Sequence, residues 1–130
     1  MDDPKEQKAW RDVKYGRRFL NAFRGMYIVL KTTRHIFIHL LSALLVIILG
    51  FYLEVSATEW VMLVFAIGFV LVSETFNTAI EIDIDLTSPD FHPYARDTKD
   101  VAAAAVLLSS LTALSVGLII FLPRFIAKIF

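Results

Sequence analysis

Three apolar stretches, each long enough to cross a bilayer, constrain this chain more than anything else in it. Residues 36–55 read IFIHLLSALLVIILGFYLEV, and their strongly polar members are His39 near one end and Glu54 at the other. Residues 60–72 are continuously apolar, and the same helical pattern runs on through Ser73 to residue 84. Residues 101–122 carry only Ser109, Ser110, Thr112 and Ser115 as polar members. About 20 apolar residues cross a hydrocarbon core of about 30 Å. Lipid offers no partner to backbone N–H and C=O groups, so each stretch must be a helix. The first stretch lies too far from the N-terminus to act as a signal peptide, and no small-residue cleavage site precedes the second.

The 130 residues are expected to form one all-α integral membrane domain. The mean hydropathy of +0.63 is too high for an ordinary soluble domain. Thirteen Lys and Arg balance thirteen Asp and Glu, which argues against nucleic acid as a partner. Without cysteine there is no disulfide frame and no thiolate chemistry. The five glycines are isolated, so no glycine-rich phosphate loop exists and a soluble nucleotide fold is excluded. His35 and His39 have the four-residue spacing of metal ligands, but no suitable third ligand lies nearby in sequence.

Orientation follows from positive charge. Lys5, Lys8, Arg11, Lys14, Arg17, Arg18, Arg24, Lys31 and Arg34 precede the first span, and Arg96 and Lys99 lie between the second and third. The loop from Glu54 to Glu59 has neither Lys nor Arg. The N-terminus and the second loop are therefore expected in the cytoplasm, with Arg124 and Lys128 as a minor exception outside. Residues 6–34 form a further expected helix, in which Phe19, Leu20, Phe23, Met26, Tyr27 and Leu30 recur at helical steps opposite a basic side. Such a helix lies in the membrane interface along anionic lipid, or acts as a topology signal that packs on the bundle; the two readings are compatible.

The chemistry is concentrated at the end of the second span. At about 100° per residue, Glu74, Asn77, Glu81 and Asp85 fall within about 60° of one line, and Asp83 points the other way. Counted from Trp60, Glu74 lies about 21 Å along the helix, still within hydrocarbon, where a carboxylate costs a few kcal/mol. Three carboxylates and an amide on one face suit a hard divalent cation and a proton acceptor. A polar seam gluing helices together is the plainer reading. Four aligned polar residues favour function over a seam. In the loop before the third span, Asp97 or Thr98 is the expected helix cap, which places Lys99 and Asp100 level with Glu81 and Asp85. An ammonium beside a magnesium-type site is what a triphosphate requires; alone, Lys99 reads as a counter-ion to Glu81 or Asp85.

The paired patterns Glu74-x-x-Asn77-x-Ala79-Ile80-Glu81-x-x-x-Asp85 and Ala95-x-x-x-Lys99-Asp100-x-Ala102-Ala103-x-Ala105-Val106-Leu107 resemble the signature of the prokaryotic diacylglycerol kinase family. Arg24-Gly25, Ile38-His39-Leu40, His92 and the run from Gly117 to Pro123 extend the likeness over nearly the whole chain, with wording closer to the undecaprenol kinase branch. The resemblance implies an ATP- and magnesium-dependent lipid kinase of the bacterial inner membrane, built as a homotrimer with sites shared between subunits. The phosphoryl acceptor would be undecaprenol, with diacylglycerol as the alternative. By position, Glu74 would be the general base and Asn77 would orient the phosphates or the base. Glu81 would hold magnesium, Lys99 would contact phosphate, and Asp85 and Asp100 would line the nucleotide site.

One departure stands out. Before the first span the family has a metal-binding Glu, followed four residues later by an Arg; here those positions hold Thr33 and Phe37. A hydroxyl is a weaker magnesium ligand than a carboxylate. The expected outcome is a weakened enzyme, a different ligand arrangement, or an inactive paralogue whose acidic seam only assembles a membrane oligomer. An ion-conducting bundle would use the same acids, but the seam stops partway through the membrane.

Overall fold

The computed structural model describes residues 15–129, so the expected helix over residues 6–14 and its early lysines lie outside the described residues. Four helices follow: α1 (Tyr15–Thr32), α2 (His35–Tyr52), α3 (Ala57–Thr87) and α4 (Pro93–Ile129). The last three are long and apolar enough to cross a membrane, and the protein is a multi-pass membrane protein. At 1.5 Å per residue α3 and α4 are about 46 Å and 55 Å long, so both project beyond a 30 Å core. That length carries Asp85 and Lys99 to one face of the membrane and Arg124 to the other.

In α1, Val29 is buried, while Phe19, Leu20, Phe23, Met26, Tyr27 and Leu30 are exposed. Residues 16–24 are exposed on both the aromatic and the basic side, and Val29 makes the contact with the bundle. Thr33 and Arg34 separate α1 from α2; α1 closes with Thr33 N–H donating to the Val29 carbonyl (3.0 Å).

The α2–α3 turn is short. Glu54 takes a left-handed conformation (φ 51°). Ser56 then caps α3: its hydroxyl accepts from Glu59 N–H, and its own N–H donates to Glu59 Oε2 (2.6 Å). Each motif satisfies helix-end groups that lipid could not. A hydrophobic cluster lies here, where Val55, Leu63 and Ile120 are enclosed by Val46, Trp60, Val116 and Phe121. Gly50 lies under the Trp60 ring, where an added Cβ would stand 2.5 Å from the indole.

The start of α4 corrects the expected cap. The helix begins at Pro93, eight residues before the apolar span, and not at Asp97 or Thr98. Proline suits the first helical position, since it has no N–H to leave unpaired. His92 Nδ1 accepts from Tyr94 N–H (3.2 Å), while the Thr98 hydroxyl donates to the Tyr94 carbonyl one turn back (2.8 Å). Asp97 pairs with Arg96 at the surface.

Arg124 and Lys128 are explained by contact with the other end of α2. Arg124 forks onto both oxygens of Glu59 (2.6 and 3.2 Å) and donates to the Leu53 and Glu54 carbonyls. Lys128 donates to the Tyr52 carbonyl (2.9 Å) and stands over the Tyr52 ring. Cations at a helix C-terminus satisfy orphan carbonyls and oppose the helix dipole.

Candidate functional site

At the opposite end, α3 carries a buried polar band. Glu74 is 3% exposed, Asn77 7% and Thr78 1%. Among the described residues the Glu74 carboxylate makes no hydrogen bond. Asn77 Nδ2 donates to Glu81 Oε1 (2.9 Å), which fixes the orientation of the amide and leaves Asn77 Oδ1 buried without a donor. Asp83 is exposed, on the opposite side of α3 as the helical pattern requires.

Thr33 reaches this band from the α1–α2 junction. Its hydroxyl lies 2.7 Å from that of Thr78, which in turn donates to the Glu74 carbonyl (2.9 Å). A hydroxyl has one proton, so Thr33 donates to Thr78 and Thr78 to the backbone. Residue 33 thus faces α3 at Thr78, between Glu74 and Glu81 along the helix, whereas Phe37 is exposed. Thr78 was not among the sequence candidates; its place one turn after Glu74 on the polar face was the available signal.

Farther along, Lys99 Nζ pairs with Asp85 Oδ1. Both side chains are exposed to water, and such a pair holds weakly. An ammonium has three donors, so Lys99 can serve an anion as well as Asp85. Asp100 is exposed beside it and is not drawn to the Glu74 band.

Among the described residues no three acidic, histidine or cysteine side chains converge as a ready-made metal cage. Magnesium rarely uses one: it takes one or two carboxylates and completes its shell with phosphate and water oxygens. The Glu81 carboxylate beside an orphaned amide oxygen fits that kind of half-open site.

The profile of the family described as prokaryotic diacylglycerol kinase matches residues 20–121. The chain belongs to this family. It is 37% identical over 111 residues to an undecaprenol kinase of Bacillus subtilis, covering 85% of this chain and 90% of that one. It is 34% identical over 106 residues to a diacylglycerol kinase of Synechocystis, covering 81% of this chain and 61% of that one. A diacylglycerol kinase of Escherichia coli is 31% identical over 72 residues, 55% of this chain and 59% of its own. Membership makes the protein a membrane-embedded lipid kinase, and the family's chemistry is nucleotide-dependent.

Proposed function

We propose that the protein transfers the γ-phosphoryl group of ATP to a membrane lipid alcohol, with undecaprenol as the first candidate and diacylglycerol as the second. The observation that carries the reading is Glu74: a carboxylate buried at membrane depth, without a hydrogen-bond donor, on the face that continues through Asn77 and Glu81 toward Lys99. A carboxylate placed there, with no hydrogen bond to another side chain among the described residues, is free to accept a proton from an alcohol. Glu74 takes the proton of the lipid hydroxyl as that oxygen forms its bond to the γ-phosphorus and the bond to ADP breaks. Asn77 holds Glu81 in place, Lys99 neutralises phosphate charge, and Asp85 and Asp100 border the nucleotide. Glu81 and the Asn77 amide oxygen would hold magnesium, which would supply positive charge against the phosphates.

The Lys and Arg asymmetry supports a cytoplasmic N-terminus and hence a cytoplasmic nucleotide site. The many exposed apolar side chains of α2 and α4 leave surface for contact between copies of the chain, and the family suggests a homotrimer. One observation favours a second reading: the Thr33–Thr78 bond occupies the position of the family's metal-binding Glu, as an inactive paralogue would allow. Transfer from radiolabelled ATP to a panel of lipid alcohols in detergent decides between them. Glu74→Gln keeps the shape and removes the base, and is expected to lower turnover about 10²–10⁴-fold with ATP binding retained. Turnover near wild type would leave Glu74 a structural residue.

A further inference from the structure

Hydroxyls within the spans of this chain mostly answer to their own helices. Ser42, Thr75, Thr112 and Ser115 each donate to the carbonyl four residues earlier. Thr78 does the same toward the Glu74 carbonyl (2.9 Å). Among the described residues, however, it is the one span hydroxyl that also bonds a side chain of another segment, accepting from Thr33 at 2.7 Å. Both threonines are buried. Their bond ties the α1–α2 junction to α3.

The tie falls between the groups assigned to the reaction. Thr78 stands one turn after Glu74 and one turn before Glu81, within about 60° of both around α3. Val29, Thr33 and Ile36 are buried at four- and three-residue steps, so a single stripe runs inward from α1 through the junction into α2, and Thr33 is its polar member. The helix before that junction packs against α3 and α2. Apolar contact alone lets such a stripe slide along α3, because lipid tails compete equally for apolar side chains. A hydroxyl pair does not slide. Neither hydroxyl has water to turn to, so separating them would leave a buried polar group without its partner. The pair is also neutral, and it holds the two segments together without a cation.

We propose that Thr33 and Thr78 are a positioning pair for the transfer reaction: their bond fixes the α1–α2 junction as a wall beside the face that carries Glu74 and Glu81. Neither threonine touches the reacting atoms. Thr78 acts through the backbone of α3, which it grips at the Glu74 carbonyl, and Thr33 acts through Thr78. A wall that drifts by a fraction of an ångström admits unproductive arrangements of base and acceptor, and rate is sensitive to such displacements. The inference rests on the lipid-kinase reading and adds two residues to it. It also gives the departure at position 33 a use: a hydroxyl keeps the junction docked with or without magnesium, whereas a carboxylate there would need the metal to hold it.

The test uses the full chain in mixed micelles, with undecaprenol and diacylglycerol as acceptors. Thr33→Val and Thr78→Val keep the shape and each removes the tie. Each is expected to lower kcat about three- to tenfold, the worth of one side-chain hydrogen bond between helices in a membrane. The KM values for ATP and lipid should stay put. Thr33→Ser and Thr78→Ser keep the hydroxyl and should recover most of the rate. The double valine variant should lose no more than the worse single one, because the two residues act as a unit. A second readout does not need activity. The chain has no cysteine, so spin labels can be set at Leu30→Cys in α1 and Ile82→Cys in α3, both exposed positions, in chains diluted with unlabelled protein. The distance between the labels should be narrowly distributed in wild type, with or without magnesium, and broader in Thr33→Val. Should Thr78→Val fail to fold, Thr33→Val carries the measurement, since it leaves the bond from Thr78 to Glu74 in place. Unchanged kcat in Thr33→Val beside a lowered thermal midpoint makes the pair a plain stabiliser and overturns the proposal. So do valine losses that add in the double variant. A wild-type protein that phosphorylates no lipid alcohol sinks the kinase reading and this role with it, even where the label distances show the tie itself.

Discussion

Replacing Thr33 by glutamate tests the departure from the family pattern, and the structure sets the size of the effect. Residue 33 is only 7% exposed and faces α3 at Thr78, one turn from both Glu74 and Glu81. The change removes a hydrogen bond worth about 1 kcal/mol net. It also places a carboxylate close to a buried one, and an uncompensated buried charge costs about 3–5 kcal/mol or is protonated instead. Without a divalent cation, Thr33→Glu should therefore unfold in detergent at a lower temperature than wild type. A hard cation reverses the balance, since two carboxylates and an amide oxygen then surround it. At 100 times its dissociation constant a ligand returns about 2.7 kcal/mol. Magnesium should raise the midpoint of Thr33→Glu far more than that of wild type, and half-saturating magnesium for turnover should fall. Adding Glu81→Gln should erase both effects. The reasoning fails if magnesium leaves the variant's midpoint and half-saturation where wild type has them, because a carboxylate at the proposed metal position could not be silent.

Other outcomes follow from features away from the site. Gly50→Ala should cost about 1–3 kcal/mol, because the new Cβ meets the Trp60 ring; Trp60→Phe in the same chain should return part of it, read as denaturation midpoints. Arg124→Ala should lower the thermal midpoint, and Arg124→Lys should recover only part, since an ammonium cannot fork onto Glu59 while also reaching two carbonyls; equal midpoints for all three would deny the clamp a role. A reporter fused after Phe130 should be active only outside the cytoplasm, and cytoplasmic activity would invert the proposed orientation.

The spans and the helix before them were legible because hydropathy and helical period are local properties of the chain. So was the shared face of Glu74, Asn77 and Glu81, since rotation per residue fixes it once a helix is granted. The start of α4 was misread: Asp97 and Thr98 are cap residues by chemistry, but Pro93 and the His92 ring had already begun the helix. The partnerships of Thr33 and Arg124 join residues 45 to 71 positions apart, which no local pattern encodes. Counted only as charges, Arg124 and Lys128 looked like exceptions to a topology rule. They are ligands of carbonyl groups at the end of another helix.

The clamp of Arg124 and Lys128 on the α2–α3 turn has a mechanical consequence. One end of the bundle is riveted: a capped turn, a forked ion pair, a cation on a tyrosine and a close-packed tryptophan hold α2, α3 and α4 together. At the other end the ties include the Thr33–Thr78 hydroxyl pair and the exposed Lys99–Asp85 ion pair. Ties distributed this way set the helices as the arms of tongs with their pivot at the Trp60 end, and small rotations about that pivot would widen the gap beside Glu74 while the fold stays intact.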